Sequence, residues 1–544
     1  MNRLHTAFSL LALASLVACG NSAPSASSGS EPPARFELLE ASISDTHAAL
    51  RAGTLSCTEL VDAYLDRIAR LDQSTAQGLA IHSVLSLAPN ARAEAAALDA
   101  LQARGGWAGP LHCVPMLLKD NFDTADFPTT AASRSLAGLQ PSADAFTVKR
   151  LRAAGVVVLG KTVMAEFAFW PQSHNSWTIR AGLPYDTRKD PGGSSSGSAA
   201  AVAANFALAA TGSDTCASIR LPPSNNSLVG VRSSMGLVSQ QGIVPLSHFL
   251  DVGGPITRTV ADAAKLLDVM AGVDTADPLT LDAERRQPAS YTSYLKRDGL
   301  KGKRIGVLRS YGGTDSFGND PHVNAVMTQA LADLKAQGAT LVDPVDLPDF
   351  ELVTTTMILA EFKDNIEEYL AGVPNAPRTT LLQIMTSGQV HPFIQALITA
   401  GFAASDTRSD TYLANKAKRE PLRQYVESAM DRLGLDALVY PPVKAPAFGT
   451  LVELDVDAFL PEFIANPGLG NGNLNGVMQA NTCDFSSTTG LPSIVVPAGF
   501  STDTKPLPIG IEFFGRKWDE GRLFEIAYGY EQATKWRRRP EGWD

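Results

Sequence analysis

The segment from Asp190 to Pro222 constrains this chain more than any other, because it holds two loops of small residues separated by an Ala-rich run. The first loop, residues 192–198 (GGSSSGS), has too little side chain to contribute to a core. Its glycines and serines can instead bring backbone N–H groups and hydroxyls close to other atoms. The second loop, residues 212–220 (GSDTCASIR), is again small and polar.

The run between the loops, Ser198 to Ala210, is almost entirely Ala, Val, Leu and Phe. It predicts a buried helix capped by Ser198. A buried helix with a serine loop at each end is a costly arrangement for stability alone. We therefore interpret the whole segment as a catalytic site.

Composition is that of a globular enzyme with a large core: 544 residues, 44% hydrophobic and 19% charged. Length alone would allow roughly three or four domains. The net charge of −10 is spread along the chain and no basic block occurs, so a nucleic-acid partner is not expected.

The N-terminus is predicted to be a processing signal. A short positive region at Arg3 precedes an apolar stretch from Ala7 to Ala18, which is too short to span a bilayer. The stretch ends in LVACG and resembles a bacterial lipobox, which implies cleavage before Cys19 and lipidation of its thiol. Ordinary secretion with cleavage nearby is the alternative.

These features divide the chain into three parts. Residues 1–18 are the predicted signal peptide, residues 19–35 are the lipidated cysteine with a disordered tether rich in Ser and Pro, and residues 36–544 are the folded domain. We expect an exported bacterial lipoprotein, periplasmic or in the cell envelope and lipid-anchored. The choice of inner or outer membrane and the oligomeric state stay open.

Four cysteines follow Cys19. They are far apart and show no metal-ligand spacing, so neither zinc nor another metal site is expected. An oxidising compartment would permit disulfides, but the sequence leaves open whether any form among Cys57, Cys113, Cys216 and Cys483.

From Ser42 onward the pattern is that of an α/β fold. Residues 56–71 have apolar side chains at helical spacing, with Ser56 and Glu59 as a capping box. Further elements are predicted from the pattern alone: helices over residues 91–103, 324–337, 361–370 and 419–433, and strands over residues 116–121, 156–159 and 302–308.

Two lysines stand in patterns that suggest function. Lys119 directly follows the apolar Leu117 and Leu118, which suggests a buried functional amine; the alternative is a lysine paired with Asp120 at the surface. Residues 155–162 (GVVVLGKT), which include Lys161, satisfy the phosphate-loop pattern. The residues between the two glycines form the strand itself and would occupy the phosphate position, so we reject nucleotide binding.

Several motifs together resemble the amidase signature family, and they cover most of residues 40–540. The resemblance implies one large α/β domain, with a mixed sheet covered by helices on both faces, that hydrolyses carbon–nitrogen amide bonds through a Ser-Ser-Lys triad and an acyl-enzyme, without a metal or organic cofactor. The motifs are GPLHCVPMLLKDNFDT, GGSSSGSAAA, GSDTCASIRLP, GLVS, GPITRTVAD, ALVYP and TGLPSIVVP.

Carried over by position, Ser218 matches the nucleophile of the family, Ser194 the bridging serine and Lys119 the general base. The chemistry of the residues agrees. No G-x-S-x-G elbow surrounds these serines, and His112, His174 and His248 stand in no Ser-His-Asp arrangement. A lysine can act as the base only when neutral, so burial must lower its pKa from about 10 towards 7 or 8.

The resemblance assigns the oxyanion hole to four backbone N–H groups, where each donor could contribute about 3 kcal/mol. Glycines are common in the family at three positions that carry side chains here, Ser196, Cys216 and Ala217. If the backbone needs a positive φ at Cys216 or Ala217, the side chain there would cost about 1 kcal/mol. Cys216 as a catalytic thiol is the minor alternative. Asp214 and Arg220 are expected to form a structural ion pair. The four N–H groups are those of Thr215, Cys216, Ala217 and Ser218.

The substrate is not fixed by sequence. The family resemblance places the acyl pocket in residues 284–481, where residues 468–475 are expected to be a flexible loop. Phe167, Phe169 and Trp170 are candidates for its lining, with a role in the core as the alternative. Three functions are compared: an anchored amidase acting on peptide or small-molecule amides, with esters and carbamates as further candidate substrates; an amidotransferase-type amidase subunit; and a catalytically silent amide-binding lipoprotein.

Overall fold

The computed structural model describes residues 36–177, 180–351, 353–447 and 483–544. The predicted signal peptide, Cys19, the tether and the glycine-rich segment 468–475 lie outside the described residues. Residues 36–544 form one compact unit. No helix in the described ranges has the length and apolar character needed to cross a membrane.

Twelve strands in the described residues form one sheet. Its order is β1-β3-β2-β4-β6-β5-β11-β12-β10-β7-β8, and β9 pairs with β7 beside this path. The strands are β1 (Val84–Leu87), β2 (Val114–Lys119), β3 (Val156–Thr162), β4 (Ala209–Asp214), β5 (Val229–Arg232), β6 (Val252–Thr257), β7 (Arg304–Tyr311), β8 (Thr314–Asp315), β9 (Thr340–Leu347), β10 (Ala437–Tyr440), β11 (Ser493–Phe500) and β12 (Pro508–Phe514).

Helices connect the strands, and several of them pack against the sheet. They are α1 (Ile43–Ala52), α2 (Cys57–Leu71), α3 (Ala91–Ala103), α4 (Phe146–Ala153), α5 (Ser196–Ala203), α6 (Leu221–Asn225), α7 (Val260–Met270), α8 (Ala283–Arg286), α9 (Pro321–Ala336), α10 (Thr354–Ala371), α11 (Leu381–Met385), α12 (Pro392–Ala404), α13 (Asp410–Ala417), α14 (Arg419–Leu433), α15 (Phe485–Thr489) and α16 (Glu520–Thr534). Short 3₁₀ segments cover Arg134–Leu136, Glu166–Ala168, Pro278–Thr280 and Tyr291–Tyr294. Helices α10 to α13 pack mainly against other helices.

The sheet is mixed, as the family resemblance implies. Strand β2 is parallel to both of its neighbours, β3 and β4, whereas β4 is antiparallel to β6. Strands β2, β3, β4 and β6 are fully buried, which explains why apolar and small residues fill them without alternation. The charged exceptions are Lys119, Lys161 and Asp214, near the strand ends. This buried centre of the sheet brings the end of β2 beside the end of β4.

The capped helix α2 is confirmed in detail. Ser56 accepts a hydrogen bond from the backbone of Glu59, and the Glu59 carboxylate accepts from the backbone of Ser56. The boundaries of α3 and α14 also agree with the sequence pattern. Strand β3 runs from Val156 to Thr162 and is fully buried, as expected for a strand and not a phosphate loop.

The predicted helix over residues 198–210 is wrong at both ends. Helix α5 begins at Ser196 and stops at Ala203, and β4 begins at Ala209. Ser198 lies inside the helix, where its hydroxyl donates to the carbonyl of Thr211 at 2.8 Å and does not cap. Asn205 takes a positive φ of 59° and turns the chain back. A continuous run of small apolar residues does not by itself separate a short buried helix from a buried strand.

Candidate active site

Lys119 is the last residue of β2 and its side chain is fully buried. Its Nζ atom lies 2.7 Å from Ser194 Oγ, 2.9 Å from Ser213 Oγ and 3.0 Å from the carbonyl oxygen of Ser213. Because β2 and β4 are neighbours, the end of β4 supplies two of these three contacts. The amine is therefore held at one point in the interior.

The alternative pairing of Lys119 with Asp120 is wrong. The Asp120 carboxylate accepts hydrogen bonds from Thr130 and from the backbone of Ala132, and its charged neighbour is the buried Lys161 at 3.9 Å. Successive residues of a strand point to opposite faces of the sheet, so Lys119 and Asp120 diverge. In the described residues no carboxylate lies within ion-pair distance of Lys119 Nζ.

Burial lowers the pKa of Lys119 to about 7, although the negative charges of Asp214 and Asp251 act in the opposite direction. Burial dominates because an ammonium loses its hydration inside the protein. Near neutral pH a substantial fraction of Lys119 is consequently the neutral amine. This is the state that a general base requires.

Ser194 is brought to Lys119 by a loop that requires glycine at the two preceding positions. Gly192 has a φ of +86°, and a Cβ atom on Gly193 would lie 2.9 Å or less from the backbone at Pro171 and Gln172. The Gly193–Ser194 peptide bond is cis. The carbonyl of Ser194 accepts from the backbone of Ala165 at 3.1 Å, which fixes the residue from the other side.

Ser218 lies on the turn that follows β4, in the sequence that we call the oxyanion loop, residues 215–218. In the described part of the chain, none of the four backbone N–H groups of this loop donates to a protein acceptor. Neither Cys216 nor Ala217 has a positive φ. Side chains at these positions are therefore compatible with the turn, and the strain considered from the sequence does not arise.

Carbonyl groups on the other side of the turn accept hydrogen bonds from arginines. Arg220 donates to the carbonyl of Cys216, and Arg232 donates to the carbonyl of Asp214. A peptide group points its N–H opposite to its C=O. Holding these carbonyls towards the arginines leaves the following N–H groups, those of Thr215 and Ala217, facing away from them.

The ion pair of Asp214 with Arg220 is confirmed, at 3.0 Å and with both side chains fully buried. Arg232 is a second partner at 2.7 Å, and Glu512 contacts Arg220 at 3.3 Å. Burial acts to raise the pKa of Asp214, but Arg220 and Arg232 outweigh it and lower that pKa to about 2. Two buried cations and two buried carboxylates thus form an ion cluster at Asp214, the residue directly before the oxyanion loop.

Lys119 and Ser194 are in direct contact, whereas Ser218 is not yet joined to them by a hydrogen bond. Among the described residues, Ser218 Oγ has no hydrogen-bond partner, and the residue is 5% exposed. Catalytic hydrogen bonds are often long in unliganded sites and shorten when substrate binds. The hydroxyl of Ser218 is the one of the three predicted groups that remains available to a ligand.

The cysteines form two disulfides, Cys57–Cys113 and Cys216–Cys483. The second excludes Cys216 as a free catalytic thiol. Phe167, Phe169 and Trp170 are at most 7% exposed and belong to one apolar cluster, which agrees with their role in the core. In the described ranges no group of three or more His, Cys, Asp or Glu residues is arranged to hold a metal ion.

Four residues of the site were missed from the sequence. Ser213 accepts from Lys119, and Asn121 donates to the Ser213 hydroxyl at 2.8 Å. Arg232 holds the oxyanion loop from β5, and the carboxylate of Asp251 accepts from the hydroxyl of Thr215. Only Ser213 carried a sequence signal, as a small polar residue that ends a run of small residues just before the oxyanion loop.

This arrangement of a buried lysine, two serine loops and a mixed sheet defines a class of protein. The family model described as Amidase matches residues 59–524, and the chain belongs to this family. It is an amide-hydrolysing enzyme with the single α/β domain of the amidase signature proteins.

Individual relatives extend the comparison over nearly the whole chain. The crystal structure of the native peptide amidase from Stenotrophomonas maltophilia superposes with a TM-score of 0.78 and 34% identity, covering 93% of this chain and 99% of that one. A glutamyl-tRNA(Gln) amidotransferase subunit from Moorella thermoacetica is 34% identical over 517 residues, 93% of this chain and 99% of that protein. A probable amidase from Arabidopsis thaliana is 31% identical over 529 residues, 93% of this chain and 92% of that protein.

Proposed function

We propose that this amidase hydrolyses peptide amides or small-molecule amides with Ser218 as nucleophile, Ser194 as proton relay and Lys119 as general base. The observation that carries the proposal is the 2.7 Å contact between the fully buried Lys119 amine and Ser194 Oγ, at an amine whose pKa burial lowers to about 7.

In the acylation step, Ser218 Oγ bonds to the amide carbon while its proton passes to Ser194 Oγ and the Ser194 proton passes to the Lys119 amine. The carbonyl oxygen becomes an oxyanion, which the N–H groups of the oxyanion loop stabilise. Collapse of this intermediate breaks the carbon–nitrogen bond, and the proton held at Lys119 returns through Ser194 to the leaving nitrogen.

In the deacylation step, water takes the place of the amine. It gives its proton through Ser194 to Lys119 as its oxygen bonds to the acyl carbon. The second oxyanion accepts hydrogen bonds from the same N–H groups. Its collapse breaks the bond between Ser218 Oγ and the acyl carbon, the proton held at Lys119 returns through Ser194 to Ser218 Oγ, and the carboxylic acid leaves. Lys119 thus begins and ends each half-reaction as the neutral amine.

Similarity to the peptide amidase structure supports a peptide amide as the first substrate to test. The amidotransferase relative is equally similar in sequence, so a role as one component of a larger enzyme is the second candidate. Two disulfides argue against that role, because they are typical of oxidising compartments and rare in the cytosol.

We also propose export and anchoring through an acylated Cys19. The lipobox-like sequence LVACG and the two disulfides of the folded unit support this from separate parts of the chain. Intact-mass analysis of the mature protein from its native host should give a diacyl- or triacyl-modified chain beginning at residue 19. An unmodified N-terminus would contradict the anchor.

Substrate class is tested by turnover of purified folded protein against matched amides. The panel contains C-terminally amidated peptides, free glutamine, fatty amides and aryl amides, each with its ester counterpart. Turnover of a peptide or small-molecule amide by the protein alone supports the proposal. Turnover confined to glutamine in the presence of added partner proteins would favour the amidotransferase role.

A further inference from the structure

We propose that the Cys216–Cys483 disulfide is a positioning cross-link of the oxyanion loop, so that acylation of Ser218 is fast only while this bond is oxidised. The inference rests on the proposed role of Ser218. It concerns two residues that touch neither the attacking hydroxyl nor the base, and that act on the reaction through the backbone between them and the nucleophile.

The ends of the oxyanion loop are held by side-chain hydrogen bonds. At its start the hydroxyl of Thr215 donates to Asp251. Just beyond its end, the backbone N–H of Ile219 donates to the Asp214 carboxylate at 2.9 Å. Between these points the backbone N–H groups make no hydrogen bond to the described protein. On the carbonyl side, Ala217 accepts from the backbone N–H groups of Arg220 at 2.9 Å and Leu221 at 2.8 Å.

Cys216, in the middle of the loop, is the residue held from two sides. Arg220 donates to its carbonyl oxygen, and Cys483 bonds to its Sγ atom. The two attachments together restrict rotation of the Cys216–Ala217 peptide group. That group carries the N–H of Ala217, one residue before the nucleophile and within the set that faces a developing oxyanion.

The other end of the cross-link is firmly anchored. Cys483 is 3% exposed and lies just before α15, and its carbonyl accepts from the hydroxyl of Ser487 within that helix. Arg419 donates to the carbonyls of Ser487 and Thr488, and the carbonyl of Gly490 accepts from Met235 at 3.0 Å. The disulfide therefore ties Cys216, at the centre of the loop, to the hydrogen-bonded start of α15.

The two disulfides differ in access to solvent. Cys57 and Cys113 are fully buried, whereas Cys216 is partly exposed. A small dithiol can attack the Cys216–Cys483 bond to form a mixed disulfide, and its second thiol then closes a cyclic disulfide and releases two cysteine thiols. Two electrons pass from the dithiol to the protein, and the tether is lost without a change in the triad.

The test compares two serine-pair variants of the full chain, Cys216→Ser with Cys483→Ser, and Cys57→Ser with Cys113→Ser as the matched control. We expect the first pair to lower both kcat and the rate of fluorophosphonate labelling of Ser218 by about 10-fold or more, since loss of one oxyanion donor costs about 100- to 1,000-fold. KM should change little, and affinity for a peptide aldehyde, which forms a tetrahedral adduct, should fall by the same factor as kcat.

The control pair should lower the unfolding midpoint while labelling of Ser218 stays at the wild-type rate. Graded reduction of the folded wild type, with thiols counted by mass spectrometry, gives the same comparison without mutation: activity should fall as Cys216 and Cys483 become free and return on reoxidation. If the wild-type labelling rate is retained after the Cys216 and Cys483 substitutions or after reduction of their disulfide, the proposed positioning role of this cross-link is overturned. Absence of labelling in the oxidised wild type would instead overturn the proposed role of Ser218.

Discussion

Ser213 accepts two hydrogen bonds from Lys119, one at its carbonyl oxygen (3.0 Å) and one at its hydroxyl (2.9 Å). A neutral amine has two N–H groups and one lone pair. When both N–H groups point to Ser213, the lone pair faces Ser194 Oγ at 2.7 Å. Ser213 thereby orients the Lys119 lone pair towards Ser194, and the protonated amine donates to the same three oxygens.

The first prediction concerns Lys119 as the base. Because its pKa is lowered to about 7, the neutral fraction rises with pH through that value, and the acylation rate should rise with it and level off above. Lys119→Ala should lower the acylation rate by several orders of magnitude and abolish its dependence on pH. Lys119→Arg should be as inactive, since a guanidinium stays protonated near neutral pH.

Stopped-flow labelling by a fluorophosphonate across pH measures these rates. Ser194→Ala should lower the acylation rate somewhat less than Lys119→Ala does, because a water molecule can bridge Lys119 and Ser218 in place of the Ser194 hydroxyl. An active Lys119→Arg enzyme would refute the base role.

The second prediction separates orientation of the base from the base itself. The Ser213 hydroxyl accepts from Lys119 and so stabilises its charged form, and Ser213→Ala should therefore move the midpoint of the pH–rate profile downward by about one pH unit. The plateau rate should fall roughly 10-fold because the lone pair is less well directed. A midpoint that stays in place or rises would contradict this role.

The third prediction identifies the nucleophile. Ser218→Ala should abolish fluorophosphonate labelling and turnover, since no other serine stands on the oxyanion loop. Ser196→Ala is the matched control: its hydroxyl is buried without a hydrogen-bond partner in the described structure, and its loss should leave labelling unchanged. Peptide mapping of the labelled protein checks the site, and a label on Ser194 in wild type would exchange the two assigned roles.

The fourth prediction concerns the buried ion cluster under the oxyanion loop. Asp214→Asn leaves Arg220 and Arg232 without their shared carboxylate, and it should lower the free energy of unfolding by about 3–5 kcal/mol. Asp62→Asn, which breaks the solvent-exposed pair with Arg92, should cost no more than about 1 kcal/mol. Urea unfolding of both variants measures the difference, and equal costs would show that burial of the cluster is energetically unimportant.

Sequence alone predicted the residues of the site and determined the elements with strong local signals. The capping box of Ser56 and Glu59 specified the start of α2, because a cap depends on residues three positions apart. Lys119, Ser194 and Ser218 were identified because their residue types and the small loops around them are the family's motifs, and the contact of Lys119 with Ser194 agrees with that assignment.

Tertiary structure decided everything that depends on residues distant in the chain. Helix α5 and strand β4 are both rich in small residues, so local sequence does not separate them. Packing of β4 against β2 and β6 determines where the helix ends and the strand begins. Likewise, the sequence gives no distance between Cys216 and Cys483, which are 267 positions apart, and the disulfide between them depends on how α15 is placed against the oxyanion loop. The pKa of Lys119 is lowered for the same reason: β3 and β4 bury the end of β2, and burial is a property of the fold.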